Sequence, residues 1–282
     1  MRGVDAGAGS REPSGTAFAA LHVPGAPFLL PNCWDVASAL LLAGEGPAVG
    51  TSSLGITAAA GLVDGAGEGR ELTVALAAAL VPRLDVPLSV DLEGGYSDDP
   101  AEVADLAVRL AELGVAGINL EDGRADGRLR ATDEHAAVVR AVVAAAPALF
   151  VNARTDTHWR QVGDAGRRAA ETARRLSAYR DAGASGVFAP GLVDLTEVER
   201  LAAAVPAPLN VLWHPSVTLA QLGSAGVARV STGSALYRQA LGAALSTAQA
   251  ARHDRPATAP TVGYDDVQRL LARGGAGSGS AR

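Results

Sequence analysis

The sequence LSVDLEGGYSDDPAEVADLAVRLAELGVAGINLE, residues 88–121, contains a complete strand–helix–strand unit. It opens with a short apolar run. Residues 100–113 then place apolar side chains at helical spacing and charged ones on the opposite face. Pro100 suits a first helical turn, and Gly114 permits the left-handed turn with which a helix ends before the next strand begins. Such a unit predicts two parallel strands joined by a helix.

The same unit repeats along the chain. Residues 180–186, RDAGASG, resemble the helix-ending phrase AELGVAG of residues 111–117. We predict strands at residues 27–30, 48–51, 88–92, 117–120, 149–152, 186–189, 209–212 and 228–231. We predict helices at residues 35–43, 71–81, 100–113, 132–145, 165–182, 195–204, 218–222 and 234–252. Eight rounds favour a (β/α)8 TIM barrel of the α/β class, with an open doubly wound sheet as the alternative.

No linker interrupts the middle of the chain, so we expect a single barrel domain over residues 17–255. Residues 1–16 lack the apolar core of a signal peptide and are expected to form a flexible arm. Residues 256–273 predict an extra helix after the eighth unit. The Gly/Ser-rich residues 274–282 predict a flexible tail.

The composition excludes several classes of function. All 24 basic residues are arginine, so a Schiff-base lysine mechanism is excluded. A net charge of −6 argues against nucleic-acid binding, and no apolar run approaches the length of a membrane span. Cys33 is the single cysteine, which excludes an intramolecular disulfide and is compatible with the reducing cytoplasm in which we expect the protein to act.

Carboxylates follow two neighbouring predicted strands: Asp91 and Glu93 after residues 88–90, and Glu121 after the next strand. In a parallel barrel the carboxyl ends of the strands meet at one mouth, where ligands bind. Carboxylate ligands suit Mg²⁺, with Mn²⁺ as the alternative, whereas Zn²⁺ prefers the imidazole and thiolate groups that this cluster lacks. We therefore predict a metal site at these three residues. The alternative is that they cap helices or pair with arginine.

Two further predicted strands end in polar residues. Arg154 could hold a substrate carboxylate through its planar guanidinium group, or it could neutralise Asp91 or Glu121, and the two roles are compatible. Asp156 is expected to support Arg154 rather than to react. Asn210 opens onto the same mouth from the seventh strand and is predicted to contact the substrate.

Two segments near the mouth are candidates for binding and gating. Residues 51–55, TSSLG, form a hydroxyl-rich turn whose backbone N–H groups could receive a carboxylate or a phosphonate. Residues 61–67 form a Gly-rich loop that could close over the mouth and exclude water. Within it Asp64 is a candidate gate or reactive group, and a helix cap or a solvated loop acid is the alternative.

Seven phrases of the sequence stand in the order in which the isocitrate lyase/phosphoenolpyruvate mutase superfamily carries them. They are PNCWDVASA (31–39), GTSS (50–53), DLEGGY (91–96), GINLED (117–122), NARTD (152–156), GVFAPG (186–191) and RVSTGS (229–234). The chain therefore resembles this superfamily from about residue 28 to residue 241. The resemblance implies a TIM barrel and a homo-oligomer, a dimer or more usually a tetramer, in which neighbouring subunits exchange the last helix.

The resemblance also implies roles for individual residues. The residues implied in Mg²⁺ binding are Asp91, Glu93 and Glu121. The residues implied in substrate contact or catalysis are Ser52, Ser53, Leu54, Arg154 and, where the phosphonate enzymes carry a gating aspartate, Asp64. Superfamily members make or break a C–C or P–C bond beside a 2-oxo or 2-hydroxy acid, through an enolpyruvate-like anion that the metal stabilises.

Departures from the superfamily narrow the expected reaction. Residues 121–128, EDGRADGR, replace the Cys-Gly-His loop of isocitrate and methylisocitrate lyases. Residues 121–128, which form a gate in the superfamily, contain no Lys, and residues 188–190, FAP, stand where the mutases carry a His. The remaining resemblance is to the less specialised branch of oxaloacetate decarboxylase-like and dimethylmalate lyase-like proteins.

The leading hypothesis is a Mg²⁺-dependent lyase that cleaves a C–C bond of a small 2-oxo or 2-hydroxy carboxylic acid through an enolpyruvate-like intermediate. One alternative is P–C chemistry of the phosphonopyruvate hydrolase or phosphoenolpyruvate mutase type. The other is a non-catalytic, ligand-binding barrel.

Overall fold

The computed structural model of the protein describes residues 14–275. The strands are β1 (Phe28–Leu30), β2 (Asn32–Cys33), β3 (Val49–Thr51), β4 (Leu88–Asp91), β5 (Gly117–Glu121), β6 (Phe150–Arg154), β7 (Gly186–Phe188), β8 (Leu209–Leu212) and β9 (Arg229–Ser231). The helices are α1 (Ser14–Ala20), α2 (Val36–Leu42), α3 (Ser53–Ala59), α4 (Arg70–Leu80), α5 (Pro100–Leu113), α6 (Thr132–Ala145), α7 (Ala165–Asp181), α8 (Leu195–Ala204), α9 (Leu219–Ser224), α10 (Ala235–Arg252) and α11 (Tyr264–Gly275).

The strands form a parallel barrel, which confirms the predicted TIM-barrel class. Hydrogen-bonded neighbours run in the order β1-β9-β8-β7-β6-β5-β4-β3-β2 within the described residues. The first strand position of the barrel is divided at Pro31, which has no N–H to donate: β1 before it matches the predicted strand of residues 27–30, and β2 after it was not predicted. Its first half pairs with β9 and its second half pairs with β3, so the two halves together close the barrel.

Alternation along the strands separates the core from the site. In β4, β5 and β6, Val90, Ile118 and Val151 are aligned and fully buried in the main apolar core that the helices cover. The aligned neighbours Asn119 and Asn152 lie on the opposite side, where the Asn152 side-chain amide donates to Asn119 Oδ1 at 2.9 Å. Because successive strand residues point to opposite faces, polar residues interleaved with valine and isoleucine line the barrel interior.

Helix α5 shows how local sequence sets the element boundaries. The Asp99 side chain accepts a hydrogen bond from the Ala101 N–H at 2.9 Å, and Pro100 occupies the first turn. Gly114 ends the helix with φ at 96°, a left-handed conformation that a glycine adopts without strain. The observed bounds equal the predicted ones, because cap, periodicity and stop signal all lie within the segment.

Helix α1 closes the end of the barrel opposite the mouth. Phe18 is fully buried there and packs edge-to-face against Phe28 and Phe150, with ring centroids 6.2 and 5.5 Å away. The prediction of a flexible arm is therefore wrong for residues 14–16, since α1 begins at Ser14. The rest of that predicted arm lies outside the described residues.

The C-terminal helix starts later than predicted. Its predicted range began at residue 256, but α11 starts at Tyr264 because Pro256, Pro260 and Gly263 disfavour helix before it. The helix lies against α2 and continues to Gly275, two residues into the predicted tail, and residues 276–282 lie outside the described part. No helix of residues 14–275 has the length and apolar character needed to cross a membrane.

Candidate active site

Asp91 is the last residue of β4 and its carboxylate is buried at the barrel mouth. Its backbone N–H donates to Thr51 Oγ1 at 2.9 Å, which ties β4 to the end of β3. Oδ1 of Asp91 is buried and has no hydrogen-bond partner among the described residues. Burial raises the pKa of Asp91, Arg154 opposes that rise, and Asp64 adds to it.

Arg154 ends β6 and forms two short ion pairs. Its Nη1 lies 2.8 Å from Glu121 Oε2, and its Nε lies 2.6 Å from Asp156 Oδ1. Burial lowers the pKa of Arg154, but the surrounding carboxylates outweigh burial and raise the pKa above its ordinary value. Arg154 also lines the cavity at the mouth. The neutralising role is therefore observed, and the position allows the substrate-holding role as well.

Asp156 supports Arg154, as the sequence predicted, and is itself held in place by hydrogen bonds with residues outside the cavity wall. It is fully buried, its Oδ2 accepts from Arg160 Nε at 3.1 Å, and its N–H donates to Asp122 Oδ1 at 2.9 Å. Asp122 in turn accepts from the Tyr179 hydroxyl at 2.7 Å. This network fixes the orientation of the guanidinium group that faces the cavity.

Negative charge is in excess at this mouth. The carboxylates that influence one another or Arg154 are Asp64, Asp91, Glu93, Glu121 and Asp156. Burial, with Asp64 and Asp91 nearby, raises the pKa of Glu93 to about 7. Burial also raises the pKa of Glu121 well above its ordinary value, although Arg154 opposes the effect. Arg154 neutralises only part of this negative charge, as expected for a carboxylate cluster that binds a cation.

The donor set fits a divalent cation that keeps several waters. Buried oxygens without hydrogen-bond partners are available on Asp91 and Glu93, and oxygen donors are what Mg²⁺ prefers. The predicted set does not form a complete cage, since residues 14–275 contain no group of three or more acidic, His or Cys residues arranged to hold a metal. Glu121 is instead paired with Arg154, and Glu93 faces Gly67 and Tyr96.

Ser52, Ser53 and Leu54 lie where the sequence predicts, on the cavity wall at the start of α3. Ser52 is the N-cap of α3, and its Oγ accepts from the Gly55 N–H at 3.4 Å. Ser53 donates hydrogen bonds to Asp91 that lower the pKa of this carboxyl against the stronger effect of burial. The turn thus lies opposite Arg154 across one cavity.

Asp64 lies on the same cavity from the Gly-rich loop and is solvent exposed. Gly61, Gly65 and Gly67 have φ values of 76°, 76° and 81°, so the loop depends on conformations that other residues rarely adopt. The structure therefore brings the predicted gate residue to the mouth, facing Asp91 and Arg154.

Asn210 does not reach the cavity. It is fully buried, and its Oδ1 accepts from the Ser231 hydroxyl at 3.2 Å. Leu212, two residues further along the same face of β8, lines the cavity instead. The predicted substrate contact of Asn210 is therefore corrected to a supporting position beneath the site.

Sequence reasoning missed several residues of the cavity wall and floor. Asn32, Trp159 and Phe188 also line the cavity. Beneath it lies Arg229, fully buried, with its Nη2 donating to Asn119 Oδ1 at 2.6 Å. Burial lowers the pKa of Arg229 to about 9, although Asp91 raises it. The available signal was an arginine inside an otherwise apolar predicted strand.

The sequence model of the family described as phosphoenolpyruvate phosphomutase matches residues 18–252. The chain belongs to this family. The finding confirms the predicted isocitrate lyase/phosphoenolpyruvate mutase superfamily, and it covers both the barrel and the candidate active site.

Individual relatives agree with the family assignment. An uncharacterized protein of Mycobacterium tuberculosis H37Rv is 44% identical over 256 residues, covering 90% of this chain and 95% of that protein. A crystal structure from Burkholderia cenocepacia J2315, provisionally assigned as a lyase/mutase, is 36% identical, has a TM-score of 0.83 and covers 92% of this chain and 96% of that one. The oxaloacetate decarboxylase of Pseudomonas aeruginosa UCBPP-PA14 is 30% identical over 196 residues, 65% of this chain and 64% of the enzyme.

Proposed function

We propose that this phosphoenolpyruvate phosphomutase family member is a Mg²⁺-dependent lyase that cleaves a C–C bond of a small 2-oxo or 2-hydroxy carboxylic acid. The observation that carries the proposal is the buried, unpartnered Oδ1 of Asp91 on one cavity with Arg154. An anion and a cation on one small cavity suit a substrate that carries a carboxylate and a polarisable neighbouring oxygen. The relationship to an oxaloacetate decarboxylase supports C–C bond chemistry.

Asp91 would hold the cation directly, with Glu93 and Glu121 reaching it through water. When bound, Mg²⁺, or Mn²⁺ in its place, would supply positive charge that stabilises an enolate as the bond breaks. The observed excess of carboxylates over guanidinium groups supports this assignment.

Arg154 orients the substrate carboxylate, because its own orientation is fixed by Glu121 and Asp156 on the side away from the cavity. Ser52 and Ser53 contact the other side of the bound acid from the start of α3. Asp64 closes the mouth when its glycine-rich loop folds inwards, which excludes water from the enolate and keeps it from being protonated early.

A second candidate is P–C bond chemistry on phosphonopyruvate, favoured by the position of Asp64. The resemblance places this residue at the gating aspartate of the phosphonate enzymes, and Asp64 lines the cavity. Residues 121–128 contain no Lys, and residues 188–190, at the end of β7, contain no His. Both departures from the mutases favour the C–C lyase.

Release of pyruvate or another 2-oxo acid product from a panel of 2-oxo and 2-hydroxy acids, with Mg²⁺ and with chelator, tests the proposal. Phosphate release from phosphonopyruvate runs in parallel. We expect Mg²⁺-dependent turnover that Asp91→Ala abolishes and that Asp105→Ala, on the exposed face of α5, does not change. Turnover of phosphonopyruvate alone establishes the second candidate, and binding without turnover across the panel establishes a non-catalytic barrel.

We also propose that the protein is a homo-oligomer that uses α10. Leu241 and Leu245 lie on this helix and are 53% and 61% exposed, more than large apolar side chains on a surface helix usually are. A second copy of the chain that covers α10 explains both. Light scattering is expected to give a dimer or tetramer, and Leu241→Glu with Leu245→Glu a smaller species; a wild-type monomer contradicts the assignment.

A further inference from the structure

A second cleft opens beside the candidate active-site cavity. Its wall includes Trp159, Val193, Leu212, Trp213 and Ser234. Three of these residues, Trp159, Leu212 and Ser234, line the active-site cavity as well. The two spaces therefore share part of their walls, which places the cleft next to a ligand held at Arg154.

The cleft concentrates exposed apolar surface. Trp159, Trp213 and Val193 are 51%, 40% and 37% exposed. The chain has three tryptophans, and two of them line this one cleft. Large apolar side chains that stay accessible to solvent in a concave region typically bind an apolar group of a ligand.

The charges of the active-site cavity limit how many carboxylates a substrate brings. Among the described residues of its wall, Arg154 is the one cation, and its Nε and Nη1 are already paired with Asp156 and Glu121. Asp64 and Asp91 add negative charge to the same wall. With Asp91 assigned to the cation, a second substrate carboxylate in the cavity has no unpaired guanidinium partner and faces Asp64, so a monocarboxylic acid fits better than a diacid.

The cleft's titratable side chains lie away from the wall that it shares with the cavity. His214 and Arg238 line the cleft but not the active-site cavity, His214 has its Nδ1 2.7 Å from the Ser216 hydroxyl, and Arg238 is solvent exposed on α10. The part of the cleft that adjoins the cavity is formed by two large apolar side chains, Trp159 and Leu212, and by Ser234. The first group that a substrate extends out of the cavity therefore meets apolar surface.

We propose that this cleft is the subsite for an apolar substituent, preferably an aromatic ring, on a 2-oxo or 2-hydroxy monocarboxylic acid substrate. The proposal rests on the proposed function for the carboxylate end, and it adds the class of substrate that the enzyme selects. The substituent passes Trp159 and Leu212 and packs against Trp213 and Val193.

Oxamate and N-benzyloxamate, which share the 2-oxo carboxylate and differ in the apolar group, test the subsite by binding alone. Isothermal titration calorimetry of the full chain with Mg²⁺ is expected to give a Kd for N-benzyloxamate at least about tenfold below that for oxamate. Trp213→Ala is expected to remove most of this preference. Val193→Ser provides a milder change at the same wall and is expected to reduce the preference about threefold.

Leu72→Ala, at a partly exposed leucine on α4, is the matched control and is expected to leave the preference unchanged. Equal affinities for the two ligands in the wild type, a preference that both cleft variants retain, or failure of both ligands to bind overturns the subsite. The outcome is separable from the proposed function. Absence of turnover with the benzyl preference intact refutes only the lyase, and turnover of diacids without a benzyl preference refutes only the subsite.

Discussion

The two ends of the barrel use their buried side chains differently. At the closed end, Phe18, Phe28 and Phe150 pack edge-to-face, and His22 stacks on Phe150 with ring centroids 3.9 Å apart. Burial, with a smaller effect from Arg229, lowers the pKa of His22 to about 3, so this imidazole is uncharged at neutral pH. The closed end can therefore stabilise the fold without a ligand.

Among the described residues, the mouth holds unpaired carboxylate oxygens, whereas an unpaired atom at the closed end, His22 Nε2, belongs to a neutral ring. Oxygens of Asp91 and Glu93 are buried without partners, and Glu93 and Tyr96 have φ values of 51° and 60°, which are uncommon for residues other than glycine. Unpaired charge and backbone strain together mark a functional region, because both cost stability that nearby packing must offset. The contrast indicates that the mouth binds a ligand and that the closed end stabilises the fold that supports the mouth.

The largest expected effect comes from a substitution at Asp91, which tests the difference between the mouth and the closed end. We expect Asp91→Asn to lower Mg²⁺-dependent turnover about 10⁴-fold, equivalent to about 5 kcal/mol, because the buried carboxylate for the cation is lost. We expect the same variant to raise the free energy of unfolding without metal, since burial already disfavours the ionised acid. Steady-state kinetics and urea unfolding with chelator measure the two quantities; a fall in both contradicts the contrast.

Phe18→Ala is the matching change at the closed end. Loss of a fully buried ring is expected to lower the free energy of unfolding by about 3–5 kcal/mol. The Mg²⁺ affinity of the folded protein is expected to stay within about twofold. Urea unfolding and calorimetry with Mg²⁺ provide the measurements, and a large loss of metal affinity shows that the two ends are coupled.

Gly117→Ala sharpens the account of packing at the closed end. A Cβ there would lie 2.7 Å from Phe18 Cε1 and 2.9 Å from the Phe150 carbonyl oxygen. We expect a loss of about 1–3 kcal/mol in the free energy of unfolding. A double-mutant cycle with Phe18→Leu measures how much of the loss comes from the ring, and strict additivity assigns it to the backbone contact.

The smallest effect is a pH dependence at the mouth. The pKa of Glu93 rises from 4.5 to about 7 on folding, so the folded metal-free protein binds this proton more tightly. Its contribution to stability is fully present below pH 4.5 and is lost as the pH rises through 7. We expect about 1–2 kcal/mol of loss after allowance for solvent screening. Unfolding with chelator between pH 4.5 and 7.5 tests this, and Glu93→Gln is expected to flatten the profile.

The same contrast explains which parts of the site could be predicted. Asp91, Glu121 and Arg154 were predictable because each lies at or just beyond the carboxyl end of a predicted strand, and parallel strands bring their carboxyl ends together. The pairing of Glu121 with Arg154 was left open, since it depends on side-chain orientations that strand order does not set. The depth of Asn210 and the burial of Arg229 were missed, because the distance of an inward-facing residue from the carboxyl end of its strand decides whether it lines the cavity or lies beneath it.

The sequence by itself determined the strand–helix repeat, the bounds of α5 and the set of residues at the mouth, because periodicity, caps and turn glycines act within a few residues of the chain. Only the tertiary structure decided the division of the first strand at Pro31, the closure of the barrel end by α1 and the cleft between Trp159 and Trp213. These features depend on contacts between residues far apart in sequence, such as Phe18 with Gly117 and Phe150. The conformational preferences of short segments do not predict these contacts, because the free energy of the contacts arises only when the strands have closed into a barrel.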